Sequence, residues 1–102
     1  MLPRDVTGTW NLHQGNSFTL HVDVVSEDGD GTFNGKGNIH GQPGFIELTD
    51  TRATDDEITF QMGNGRYVGR FDFQGRLTGM VLDLAHPHSH AFWFVDKLLG
   101  FL

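Results

Sequence analysis

The feature that most constrains this chain is apolar–polar alternation with a period of two, repeated through eight short segments and broken each time by turn residues. The segments run Val6–His13, Ser17–Val25, Gly31–His40, Gly44–Ala53, Glu57–Met62, Arg66–Phe73, Arg76–Leu84 and His90–Lys97. In the second, Phe18, Leu20, Val22 and Val24 share one face, and in the fifth Ile58, Phe60 and Met62 do. Between them lie Gln14-Gly-Asn16, Glu27-Asp-Gly-Asp-Gly31, Gly41-Gln-Pro-Gly44, Thr54-Asp-Asp56, Gly63-Asn-Gly65 and Gln74-Gly75, all residues that accept φ > 0 or bond locally at a turn. Only Ala85-His-Pro-His-Ser89 departs from the pattern, and it is read as a loop. Strands this short, joined by hairpins, predict an all-β antiparallel up-and-down meander. Closing the meander into an eight-stranded barrel removes the edges of an open sheet and surrounds the core. A two-layer sandwich is the alternative.

At 102 residues the chain is one domain, residues 1–102, with an apolar C-terminal tail at 98–102. A formal net charge of −6 with no Lys/Arg cluster excludes a phosphate-backbone binder, so no nucleic-acid partner is expected. The absence of cysteine excludes disulfides and thiolate chemistry. No apolar run reaches membrane-spanning length, and Met1-Leu-Pro-Arg-Asp5 lacks a signal-peptide core. The expectation is no membrane partner and, by default, a cytoplasmic location.

Gly8-Thr9-Trp10 in the first strand resembles the Gly-x-Trp signature of the calycin superfamily of lipocalins, fatty-acid-binding proteins and avidins. The short strands, with Gly31-Thr32-Phe33 and Gly69-Arg70-Phe71, most resemble the avidin-like members. The resemblance implies a closed barrel in which Trp10 packs near the closed end. It also implies a basic residue across that tryptophan from the last strand, for which Lys97 is the candidate. Avidins stack several tryptophans around biotin, whereas here the other tryptophan is Trp93, so biotin is not carried over.

In an up-and-down barrel successive hairpins alternate between the two ends. The turns near 14–16, 41–43, 63–65 and 85–89 then share one end with His13, His40, His86, His88 and His90, leaving His21 mid-strand. Glu27, Asp28, Asp30, Asp55, Asp56 and Glu57 gather at the other. Since the Gly-x-Trp end of a calycin is closed, the resemblance makes the histidine end the mouth. Three readings of the histidines stand side by side: a transition-metal site, acid–base groups, and a solvated polar rim. His86-x-His88-x-His90 presents one face only if the segment is extended, and no metal site is expected. Asp28-Gly-Asp-Gly31 begins like a calcium loop, but Ile39 stands where the terminal Glu is needed, so it reads as a turn. Glu47 between Ile46 and Leu48 is a candidate base if it faces inward, and a solvated carboxylate if it does not.

From the sixth strand onward both faces are apolar, so one set must meet something outside the barrel. Met80, Leu82, Trp93 and Val95 are read as that outer set, predicting self-association at least to a dimer. The leading functional expectation is an oligomeric barrel holding a small, largely apolar molecule at the mouth. Its site residues are His13, His40, Tyr67, His86, His88 and His90, Gly35 and Gly37 make room inside, and no cofactor is needed. The alternatives are a cofactor-independent cyclase or isomerase in the same cavity, and a structural or protein-interaction subunit with a filled core.

Overall fold

The computed structural model describes residues 3–101. Eight strands follow one another: β1 (Gly8–Gln14), β2 (Thr19–Glu27), β3 (Phe33–Ile39), β4 (Ile46–Ala53), β5 (Glu57–Met62), β6 (Gly65–Phe71), β7 (Leu77–Asp83) and β8 (His86–Val95). Each pairs antiparallel with the next, and β8 pairs with β1 to close the barrel. The meander is therefore a barrel and not a sandwich. Among the described residues no helix forms, and none is long and apolar enough to cross a membrane.

Two expectations need correction. Residues 86–90 are strand, not loop. Asp83 accepts the Ala85 N–H at 2.9 Å, which turns the chain over Leu84 and Ala85 and starts β8 at His86. Asp83 then pairs with His86 and Leu82 with His90, so residues 87–89 bulge from the ladder. Pro87, which has no N–H to donate, falls within the bulge. This bulge also explains the second error. Met80 pairs with Phe92, and Gly79 with Trp93, so Phe92 shares the outer face with Met80. Trp93 and Val95 point inward and are buried, while Phe92 and Phe94 lie outside at 73% and 52% exposure. A one-residue slip in phase exchanges the two faces of a strand.

The interior is filled. Phe60 stacks on Tyr67 with centroids 4.8 Å apart and meets Trp10, Phe33 and Trp93 at 6.2, 6.4 and 6.4 Å. Gly37 does not leave a cavity, because a Cβ there would lie 2.7 Å from the Met62 sulfur. Gly35 instead permits close approach of β2, where a Cβ would meet the Asp23 carbonyl at 2.5 Å beside the bulge after Val24.

The end carrying the acidic turns is plugged by both ends of the described chain. Arg4 and Phe101 form a β-bridge, and the Asp5 N–H donates to Gly100 at 2.7 Å. Leu99, deep in the tail, is buried, whereas Leu98 and Phe101 stay exposed; Leu102, like Met1 and Leu2, lies outside the described residues. Arg4 is itself buried, and its guanidinium donates to the carbonyls of Asp55, Asp72 and Leu99. Lys97, the basic residue expected across Trp10 from the last strand, is exposed, and the buried basic group at this end, Arg4, lies over the Phe101 and Phe71 rings. Trp10 is buried near this end and donates its Nε1–H to the Val6 carbonyl at 3.1 Å. Glu27 accepts the Val6 N–H, and burial pushes its carboxyl above the ordinary value.

Candidate functional site

Above the packed core, the opposite end holds a cleft of about 330 Å³. Three of the four connections that the meander brings to this end build its rim; the β3–β4 connection does not take part. The β1–β2 turn supplies Gln14, Asn16 and Phe18, and the β5–β6 turn Asn64 and Gly65. The β7–β8 hairpin and its bulge supply Asp83, Ala85, His86, Ser89 and His90, with Tyr67, Val81, Leu82 and Ala91 lining the remaining walls.

Tyr67 joins core and cleft. Its ring is buried against Phe60, while its hydroxyl donates to Gln14 Oε1 at 2.6 Å. Burial pushes the phenol up to about 12, so at neutral pH it is an uncharged donor. Asp83 is held below the usual carboxylate range by the Ala85 N–H first and by the His86 side chain second. His86 Nδ1 stands 3.2 Å from Asp83 Oδ2. A proton on Nδ1 leaves Nε2 with its lone pair free.

The five rim histidines divide. His86 and His90 line the cleft together with Tyr67, whereas His88 sits exposed in the bulge and is not part of the lining. His13 and His40 belong to the outer wall, because the residues before them, Leu12 and Ile39, turn toward the core. His13 Nε2 lies 2.9 Å from Asp96 Oδ2, its ring stacks on Phe94, and the contact holds the Asp96 carboxyl below its ordinary value. His40 Nδ1 lies 3.0 Å from His21 Nε2, whose other nitrogen meets Asn11 Oδ1 at 2.8 Å. Among the described residues no group of three or more His, Asp or Glu side chains is placed to hold a metal ion. Glu47 is exposed opposite Lys36, the solvated reading of that residue. The Asp28–Thr32 turn satisfies itself: Thr32 Oγ1 donates to Asp30 at 2.8 Å and is also within bonding distance of Asp28.

Tyr67 carries a consequence for alkaline stability. The unfolded chain releases the phenolic proton near 10 and the folded barrel near 12. Its contribution is therefore complete below about pH 10 and is lost as the pH rises through about 12. The loss is on the order of 2 kcal/mol. Urea midpoints should fall across that range in the wild type and much less in Tyr67→Phe. Equal alkaline falls in the two proteins would show that the phenol is not the group responsible.

Compared with known proteins, the chain matches no protein-family model, no curated sequence and no solved structure, so its closed eight-stranded barrel is assigned from its own hydrogen-bond register.

Proposed function

We propose that this protein is a calycin-like binding module that self-associates through its outer wall and takes a small, largely apolar molecule in the mouth above Tyr67. One observation carries the ligand site: the barrel is packed with aromatic rings below Tyr67 and open above it, over a cleft of about 330 Å³. Phe18, Val81, Ala91 and the Tyr67 ring offer an apolar bed, and Asn16, Asn64 and His86 offer bonds to one polar end of a guest. The calycin-like reading is supported by Trp10, buried in the first strand near the plugged end of an eight-stranded meander.

The test is titration with 1-aminoanthracene, a neutral fluorophore that responds to apolar surroundings. Ala91→Trp should fill the cleft and weaken binding about tenfold or more, while Phe92→Ser on the outer wall should leave it unchanged. Equal affinity in wild type and Ala91→Trp would place the dye elsewhere and end the reading. No saturable binding at all would favour the structural-subunit alternative.

A second reading has its own observation. The Asp83–His86 pair lines the same cleft and leaves His86 Nε2 free to take a proton, as a cofactor-independent isomerase or cyclase requires.

A further inference from the structure

We infer that His21 and His40, side by side on the outer wall, form a two-imidazole chelate for a divalent transition-metal ion that prefers tetragonal geometry, Cu²⁺ or Ni²⁺. The site stands apart from the mouth, since neither residue lines the cleft. In β2, His21 points outward between the buried Leu20 and Val22. His40 follows β3 by one residue, and its N–H donates to the Thr19 carbonyl at 2.8 Å, which carries the β2–β3 register one step beyond Ile39. His21 itself pairs with Asn38, so the two imidazoles are diagonal neighbours across hydrogen-bonded chains. Nε2 of His21 lies 3.0 Å from Nδ1 of His40.

The neighbours of the pair decide where its hydrogens sit. His21 Nδ1 lies 2.8 Å from Asn11 Oδ1. An amide oxygen only accepts, so His21 carries its hydrogen on Nδ1 and presents a lone pair at Nε2. Asn11 is oriented from its other side. The Asp96 carboxyl is held low by His13 first and by the Asn11 amide as well, so the amide N–H side faces Asp96 and its oxygen faces His21. Metal-binding histidines are commonly fixed in this way, by giving the remote N–H to a neighbouring acceptor. His40 is exposed, so it can release its Nδ1 hydrogen to solvent and take one on Nε2. A metal ion then replaces the hydrogen that the pair shares.

Geometry and charge select the occupant. Two nitrogens 3.0 Å apart, each about 2.0–2.1 Å from an ion, subtend about 95° at it. That is the cis angle of a square or octahedral site and is tighter than a tetrahedron, so it favours Cu²⁺ or Ni²⁺ over Zn²⁺. The rings meet nitrogen to nitrogen with centroids 5.2 Å apart, so His40 turns about χ2, a broad torsion in histidine, to admit the ion. A formal net charge of −6 favours a cation over an anion at this exposed pair. Among the described residues no third His, Asp or Glu joins the two, so water fills the remaining positions.

The test is calorimetric titration of the whole chain with Ni²⁺ and, separately, with Zn²⁺. Ni²⁺ should fill one saturable site, and Zn²⁺ should bind it more weakly. His21→Gln and His40→Gln should each remove the Ni²⁺ site, and both substitutions fall on the outer wall, away from the packed core. Asn11→Ala keeps both ligands but frees the His21 ring, and should weaken binding about tenfold. The rim variant His86→Ala/His88→Ala/His90→Ala should bind as the wild type does. Ni²⁺ should also raise the urea midpoint of the wild type and leave that of His21→Gln unmoved, because the chelate exists only in the folded barrel. Ni²⁺ binding that survives both single histidine variants, or that vanishes in the rim variant, would overturn the site, as would no saturable binding at all. Zn²⁺ bound more tightly than Ni²⁺ would overturn the tetragonal assignment, and an unchanged affinity in Asn11→Ala would overturn the role of that amide.

Discussion

Gly79→Ala is expected to lower stability by about 3 kcal/mol or more, the upper range of core overpacking. Gly79 on β7 pairs with Gly69 on β6, and the Trp93 indole lies against both. A Cβ at Gly79 would fall 2.1 Å from the Val68 carbonyl oxygen, 2.6 Å from Trp93 Cζ2 and 2.7 Å from Gly69 Cα. Two of those three neighbours are backbone, so the ladder itself must part. Gly69→Ala differs in kind. Its Cβ would meet only side-chain atoms, Trp93 at 2.5 and 2.8 Å and Leu77 at 2.9 Å. Shrinking the indole should therefore rescue Gly69→Ala more than Gly79→Ala. Trp93→Phe should recover part of the loss in Gly69→Ala, a coupling of about 1 kcal/mol, and clearly less in Gly79→Ala, where the Val68 carbonyl still stands 2.1 Å from the new Cβ. Denaturation midpoints of the two double-mutant cycles check this. Equal rescue in both would mean that the Val68 carbonyl does not constrain Gly79.

The same glycines show how far the sequence could be read. Alternation within each strand is a local property, so the eight strands, their order and closure followed from periodicity and turn residues. Phase between strands is not local. Strands seven and eight are apolar on both faces, and whether Trp93 or Phe92 faces inward depends on the number of residues in the intervening turn and bulge. Asp83 fixes that number through its bonds to Ala85 and His86, and nothing in the alternation records it. Knowing that the glycine pair at 69 and 79 leaves space for one large ring would have identified Trp93 as its occupant.

The site was legible by end but not by face. Topology carried the histidines to the mouth end of their strands, but inward or outward orientation at a strand's last residue follows parity. Leu12, Leu20 and Ile39 point inward, so His13, His21 and His40 point out. Parity alone would have sorted these three. Gln14, Asn16, Asn64 and Ser89 were read as turn formers and nothing more, yet they line the cleft. Amides and hydroxyls that suit a turn also suit a polar rim, and a single sequence does not separate the two roles.

Arg4→Met is expected to open the plugged end and cost about 3 kcal/mol or more, since each buried carbonyl left without a donor costs roughly 1–3 kcal/mol. The guanidinium reaches three carbonyls from three separate segments: Asp55 and Leu99 each at 3.1 Å and Asp72 at 2.8 Å. It also lies over the Phe101 ring, 3.8 Å from its centroid, with the Phe71 ring 5.4 Å away. Arg4 thus ties the β4–β5 turn, the end of β6 and the C-terminal tail to one buried group. A methionine fills comparable volume but donates nothing, so the Asp55 and Leu99 carbonyls lose their donor together, while Asp72 keeps the Gly75 N–H at 3.1 Å. Arg4→Lys keeps the charge and still should lose most of the stability, because an ammonium does not reproduce a planar fork aimed in three directions. Arg52→Met, at an exposed arginine on β4, should stay within about 0.5 kcal/mol of wild type. The tail provides a second readout. Leu99 N–H donates to Gly75 at 3.0 Å under the plug, so proteolysis near Leu98–Phe101 should accelerate in both Arg4 variants, well below their unfolding midpoints. An Arg4→Met barrel with a wild-type midpoint and a protected tail would show that the plug holds without its arginine.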